Sequence, residues 1–190
     1  MGSINKLLAD LDGKPIVKHV VEAALASSAG PVVVVTGHQA PDIRSVLAGC
    51  AVSIVFNADY SAGLSSSLKC GIRAVPDDCQ GALVMLGDMP GVTSGDIDAI
   101  ISLFAARAGS AIIVPTYAGK RGNPVLWPRA YFRELLELEG DTGAKALLRK
   151  HEGAVESIAL VTSAVLTDID SPDDLARARA ASLAGPKPRP

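Results

Sequence analysis

Short apolar runs rich in β-branched residues recur along the chain with helix-like stretches between them, and this alternation constrains the fold more than any other feature. Val32-Val33-Val34-Val35, Val52-Ser53-Ile54-Val55, Ala82 to Leu86, Ala111 to Val114, Pro124-Val125-Leu126 and Val165 to Ile169 each read as a strand, because they are short, apolar and bounded by turn residues. Pro115 is expected to stop the fourth of these runs. From Pro15 to Ser28, apolar Ile16, Val17, Val20, Val21, Ala24 and Leu25 fall at helical spacing, with Pro15 in the first turn and Gly30 just past the end. Helices are also expected over Pro41 to Leu47, Leu64 to Val75, Ser94 to Ala106 (with Ser94 as a cap), Arg129 to Leu138 and Thr142 to Lys150. Ser171 caps a last helix opened by Pro172. Strands that alternate with helices imply βαβ units and a mostly parallel sheet covered on both faces. Ligands of such sheets bind beyond the carboxyl ends of the strands, so motifs just after strands carry most weight.

The length of 190 residues suits a single domain. We expect it to span residues 1–184, with GPKPRP at 185–190 as a disordered tail. A net charge of −2 argues against a broad nucleic-acid-binding face. Any phosphate must then be held by local groups. The apolar runs are too short to span a membrane. Cys50, Cys70 and Cys79 are odd in number and form no C-x-x-C pair, which points to a reducing compartment and a cytoplasmic protein.

Four motifs carry chemistry. In LVMLGDMP, Leu83 to Pro90, a strand delivers Asp88 to its carboxyl edge, and Gly87 leaves room for a close ligand. A hard cation such as Mg²⁺ takes one or two such carboxylates, although an aspartate in this position also serves as a plain turn residue. In LTDIDSPDDL, Leu166 to Leu175, Asp168 and Asp170 share one side of an extended segment. Asp170 suits a second metal ligand if this segment meets Asp88, while Asp173 and Asp174 favour the following helix dipole. NADYSAGLSSSLKCGI, Asn57 to Ile72, sets Gly63 and three serines before a helix, an arrangement that holds a base edge or a phosphate or simply caps the helix. KRGNPVLW, Lys120 to Trp127, offers Arg121 as an anion contact and Asn123 as a two-way hydrogen-bonding group. EGDTGAKALL, Glu139 to Leu148, sets a polar turn against a helix start. Trp127 is expected to pack rather than to stack on a ligand.

Taken in order, NKLL, GKPIV, GLSSSL, LGDMP, GNPVLW, GDTGAK and DIDSPDDL resemble the MobA-like nucleotidyltransferase family, and within it the molybdenum cofactor cytidylyltransferases. The likeness runs from Asn5 to Leu175. It implies an α/β, Rossmann-like three-layer αβα sandwich in which a nucleoside triphosphate, CTP by preference, reacts with a small phosphorylated acceptor such as molybdopterin cofactor. Pyrophosphate leaves, and Mg²⁺ is the cofactor. By this resemblance Lys6 and Asp88 are the catalytic pair, with Lys6 on the triphosphate. Lys6, Gly63, Ser67 and Gly87 form the nucleotide side, with Ser67 at the base. Asp88 and Asp170 hold the metal. Arg121, Gly122, Asn123 and Asp141 face the acceptor, and Asn123 stands where many relatives carry histidine. The resemblance leaves room for a molybdoenzyme or chaperone that receives the product, and for no nucleic-acid or membrane partner.

The family opens with a strand and a glycine-rich signature, of which only Met1-Gly2 has a counterpart here. The expected consequences are a gap in the sheet and weak or absent catalysis by the 190-residue chain. The expected causes, in order, are a start placed too far downstream, a piece of a longer protein, or a short form whose sheet is repaired by rearrangement or by a partner chain. Competing functions are a related transferase acting on GTP or on a sugar or polyol phosphate, and a non-catalytic module that holds a nucleotide or cofactor. A glycosyltransferase, suggested by the D-x-D at Asp168 to Asp170, carries little weight because that pair comes late in the chain.

Overall fold

The computed structural model describes residues 5–140 and 144–183. A 3₁₀ turn at Lys6–Leu8 leads into a small antiparallel hairpin, β1 (Asp10–Leu11) and β2 (Lys14–Pro15). Its two-residue turn is Asp12-Gly13, both at positive φ, the Asp-Gly choice that matches the twist of the flanking strands. The chain continues through α1 (Ile16–Leu25), β3 (Val33–Thr36), α2 (Ala40–Val46), β4 (Ser53–Phe56), α3 (Leu64–Arg73), β5 (Gly81–Val84) and α4 (Ser94–Ala106). It ends with β6 (Ile112–Tyr117), β7 (Lys120–Arg121), β8 (Val125–Pro128), α5 (Phe132–Leu136), α6 (Lys145–Lys150), β9 (Val155–Ala159) and α7 (Pro172–Leu183).

The molecule is α/β, and most strands of its larger sheet share one direction. β9 pairs parallel to β6, and β5 and β6 both run antiparallel to β8, so β5, β6 and β9 point the same way while β8 and the short β7 run against them. β3 and β4 form a separate parallel pair. Among the described residues no ladder joins the two sheets, so β3 and β5 each keep one unpaired edge.

Alternation along β6 sorts the core into two faces. Ile112 and Val114 join Ile72 of α3, Trp127 of β8 and Leu135 of α5. Ile113 points the other way, to Ile100 and Phe104 of α4 and to Leu126. A strand's side chains alternate in this way by geometry, and helices on both faces complete three layers. Trp127 is buried in this core, as expected.

Several local expectations are corrected. Thr93, not Ser94, caps α4: its hydroxyl accepts from Asp96 N, and the Asp96 carboxylate accepts in return from Thr93 N. Pro115 does not stop β6. Its carbonyl accepts from Gly122 N at 2.8 Å, and a strand residue's N–H points to the same side as its C=O, so the missing N–H takes nothing from the β9 ladder. The stretch from Arg129 is a 3₁₀ turn followed by the short α5. Val165 to Ile169 is no strand. A 3₁₀ turn covers Ser163–Leu166, because Val165 O is taken by Asn123 N (2.8 Å) and Ile169 N by Asp88 O (2.9 Å). The strand beside β6 is β9, whose run Val155-Glu156-Ser157-Ile158 lacks apolar alternation and gave no strand signal. The tail at 185–190 lies outside the described residues. Among those described, no helix is long and apolar enough to cross a membrane.

Candidate nucleotide and metal site

Lys6, Asp88 and Asp170 meet at one point. The Lys6 ammonium donates to Asp88 Oδ2 at 2.6 Å and to Asp170 Oδ1 at 2.5 Å. Each residue arrives from a different element for a local reason. Asn5 caps the 3₁₀ turn that carries Lys6, its side chain accepting from Leu7 N. Leu7 and Leu8 anchor that turn among Val17, Val21, Ile43 and Leu47 of α1 and the α2 region. Asp88 follows β5, ahead of buried Met89. Asp170 ends a strap pinned by buried Val165 and Ile169, and the Ile169 N to Asp88 O bond ties the strap to the loop after β5. Asp168 and Asp170 are exposed on either side of buried Ile169, as the extended segment requires.

Two carboxylates share one ammonium, which leaves the cluster net negative. Burial works against the charge on Lys6, but the hydrogen bonds it donates to Asp170 and Asp88, and their charges, outweigh it and hold the lysine above its ordinary value. Asp88 Oδ1 is buried and finds no hydrogen-bond partner among the described residues. A buried carboxylate oxygen without a donor is costly, and a divalent cation ligated there removes that cost. Two carboxylates with one free buried oxygen match the sparse ligand set of Mg²⁺ or Mn²⁺. No cluster of three or more His, Cys, Asp or Glu suited to a metal occurs among the described residues. A Cβ on Gly87 would make only an ordinary contact with Leu7, at 3.5 Å, so no described protein group demands glycine there.

The serine-rich start of α3 forms a second cluster. Gly63 ends the preceding turn at φ 101, a backbone that glycine alone adopts readily. Ser65 is buried, and its hydroxyl donates to Gly140 O at 2.5 Å. This bond holds Gly140 against the start of α3. Ser66 and Ser67 both accept from the Asn57 side-chain amide, at 2.8 and 3.1 Å. Asn57 follows β4 directly and is buried. Its role was not read from the sequence. The available signal was its position, a lone amide at the carboxyl end of a strand and just ahead of the serines.

The acceptor-side residues are placed unevenly. Arg121 makes a two-pronged ion pair with Glu152, at 2.9 and 2.6 Å, and that hydrogen bond holds the Glu152 carboxyl below its ordinary value. Gly122 sits so close to the strap that a Cβ would run into the Val165 carbonyl. Asn123 N is bonded to that same carbonyl, while its side-chain amide pairs with no described residue. Asp141 lies outside the described residues.

A protein-family model for the MobA-like NTP transferase domain matches residues 1–155. Among curated proteins, the chain is 31% identical over 157 residues to the bifunctional protein GlmU of Kineococcus radiotolerans, covering 82% of this chain and 30% of that one. It is 27% identical over 149 residues to the molybdenum cofactor cytidylyltransferase of Escherichia coli, covering 78% and 73%. The chain thus spans less than a third of the matched GlmU. Among solved structures, Rv0371c of Mycobacterium tuberculosis in complex with manganese superposes with a TM-score of 0.81 at 26% identity, covering 93% of this chain and 91% of that one.

Proposed function

The chain belongs to the MobA-like NTP transferase domain family, and from that premise we propose that it transfers CMP from CTP to a phosphorylated acceptor, molybdopterin cofactor by preference. The observation that carries this reading is the convergence of Lys6, Asp88 and Asp170 through bonds of 2.6 and 2.5 Å. A nucleotidyl transfer needs such a cluster, because its difficulty lies in charge and alignment.

An oxygen of the acceptor phosphate attacks the α-phosphorus of CTP. The bond between that phosphorus and the bridging oxygen to the β-phosphate breaks, and pyrophosphate leaves. The attacking oxygen is already ionised, so the chain need not supply a strong base. Lys6 neutralises the charge that grows on the leaving pyrophosphate. Asp88 and Asp170 would hold Mg²⁺, which when bound would supply further positive charge against the phosphates. The Lys6 ammonium then turns from the carboxylates to the triphosphate. Ser67 meets the base. Asn123, whose side-chain amide pairs with no described residue, faces the acceptor with Gly122, and Arg121 joins them by leaving Glu152. The E. coli relative named a molybdenum cofactor cytidylyltransferase supports the choice of substrates, and the manganese complex of Rv0371c supports a divalent metal. A nucleotide-consuming reaction and three free cysteines favour the cytoplasm. A molybdoenzyme or its chaperone is the partner that would receive the product.

The test is pyrophosphate release with Mg²⁺ and molybdopterin cofactor, comparing CTP with GTP and then replacing the acceptor by sugar and polyol phosphates. CTP-selective release with molybdopterin is the expected result. Release only with GTP, or only with another acceptor, would replace the substrate assignment by the related transferase it identifies.

A further inference from the structure

The three serines at the start of α3 are not equivalent, and Asn57 makes the difference. Asn57 is 5% exposed, and its amide can face only one way. Its Oδ1 accepts from Asp59 N at 3.0 Å, so Nδ2 is the atom turned to the serines. Its own backbone N–H is bonded to Thr36 O at 2.8 Å, which ties it to the end of β3. Ser65 spends its proton on Gly140 O. Ser66 accepts from Asn57 and spends its proton on the carbonyls of Asp59 and Gly63, both at 2.8 Å. Ser67 also accepts from Asn57, but its hydroxyl donates to no described residue, and it remains partly exposed.

A hydroxyl has one proton, and the lone pairs of Ser67 facing Asn57 are engaged by a donor that cannot reverse. The Ser67 proton must therefore point away from Asn57. We propose that Asn57 is a positioning residue that fixes the Ser67 hydroxyl as a hydrogen-bond donor, and so selects a base presenting an acceptor atom such as the O2 carbonyl of a pyrimidine. This rests on the nucleotidyltransferase reading above and adds to it the polarity of the base contact and the residue that sets it.

Asn57→Asp tests the polarity, because a carboxylate only accepts. Ser66 and Ser67 would then donate to it, and Ser67 would turn lone pairs to the base. CTP affinity is measured by calorimetry on the full chain for wild type, Asn57→Asp, Ser67→Ala and the double variant. Each single change should weaken CTP binding about 3- to 10-fold. The double variant should bind no worse than Ser67→Ala alone. A side chain with a merely structural role would instead give losses that multiply, and that result overturns the proposal. If Asn57→Asp fails to fold, Ser67→Ala decides the matter, since it leaves the buried amide in place. Unchanged CTP affinity in that folded variant overturns the donor assignment while the nucleotide site stands. Absence of CTP and GTP binding by the folded wild type overturns the nucleotide site itself, and the donor assignment with it.

Discussion

Lys6 has two jobs in this account, and they are separable. With both carboxylates in reach it compensates their charge, and against a triphosphate it neutralises phosphate. Lys6→Ala should lower kcat by about 10²- to 10³-fold, the usual loss for one charge-stabilising group, with the fold intact by circular dichroism. The pH sign follows from the lysine's direction of shift. Its folded value is raised above 10.5, so its contribution to stability is complete below that value and is lost only as the pH rises through the higher folded one. Lys6 therefore keeps its charge throughout the neutral range, and any titration of activity there belongs to another group. Of the residues that meet in the candidate site, Asp88 and Asp170 were marked in the sequence by the motifs after a strand and before a helix, whereas Lys6 was marked only by the family resemblance. Asn57 was not legible, since its importance depends on which way its amide and two hydroxyls face. The Arg121–Glu152 pair was not legible either, because it joins residues 31 apart with no motif to link them.

At the scale of elements, the strap from Ser163 to Ser171 decides whether the site forms. It hangs on two backbone bonds, Asn123 N to Val165 O and Ile169 N to Asp88 O. Gly122 makes the first approach possible. Gly122→Ala should push the Val165 carbonyl away, displace Asp170 and reduce turnover well beyond its effect on melting temperature. Equal activity at equal stability would show that Asp170 does not depend on the strap. The far end of the strap enters α7 through a reciprocal cap, in which Ser171 Oγ donates to Asp174 Oδ2 at 2.6 Å and accepts from Asp174 N at 3.2 Å. The hydroxyl and backbone N–H of Ser171 are the main causes holding the Asp174 carboxyl below its ordinary 3.8. A lowered value contributes stability that is present above 3.8 and is lost as the pH falls through the folded value. Acidification below about pH 4 should therefore loosen the start of α7, seen as lower amide-exchange protection there than at neutral pH.

For the whole molecule, the strand–helix alternation was legible because period and residue type carry it. The sheet order was less so. The short run at β8 has no mark of direction, and its antiparallel insertion between β5 and β6 is a tertiary outcome. β9 lacked alternation because Glu156 on it pairs with Arg107 at 2.5 Å instead of staying clear of the core face. The core itself follows the expected pattern, and Ile113 is fully buried between α4 and β8. Ile113→Ala should cost about 2–5 kcal/mol in denaturant unfolding, whereas Val161→Ala, at a residue 92% exposed, should stay within about 0.5 kcal/mol. The central claim, that the carboxylates after β5 and at the end of the strap form one metal and triphosphate site, is tested most directly by Mn²⁺ binding in the presence of CTP, read by electron paramagnetic resonance. The account predicts bound Mn²⁺ in the wild type and its loss in both Asp88→Asn and Asp170→Asn. Undiminished Mn²⁺ binding by both folded variants would contradict it.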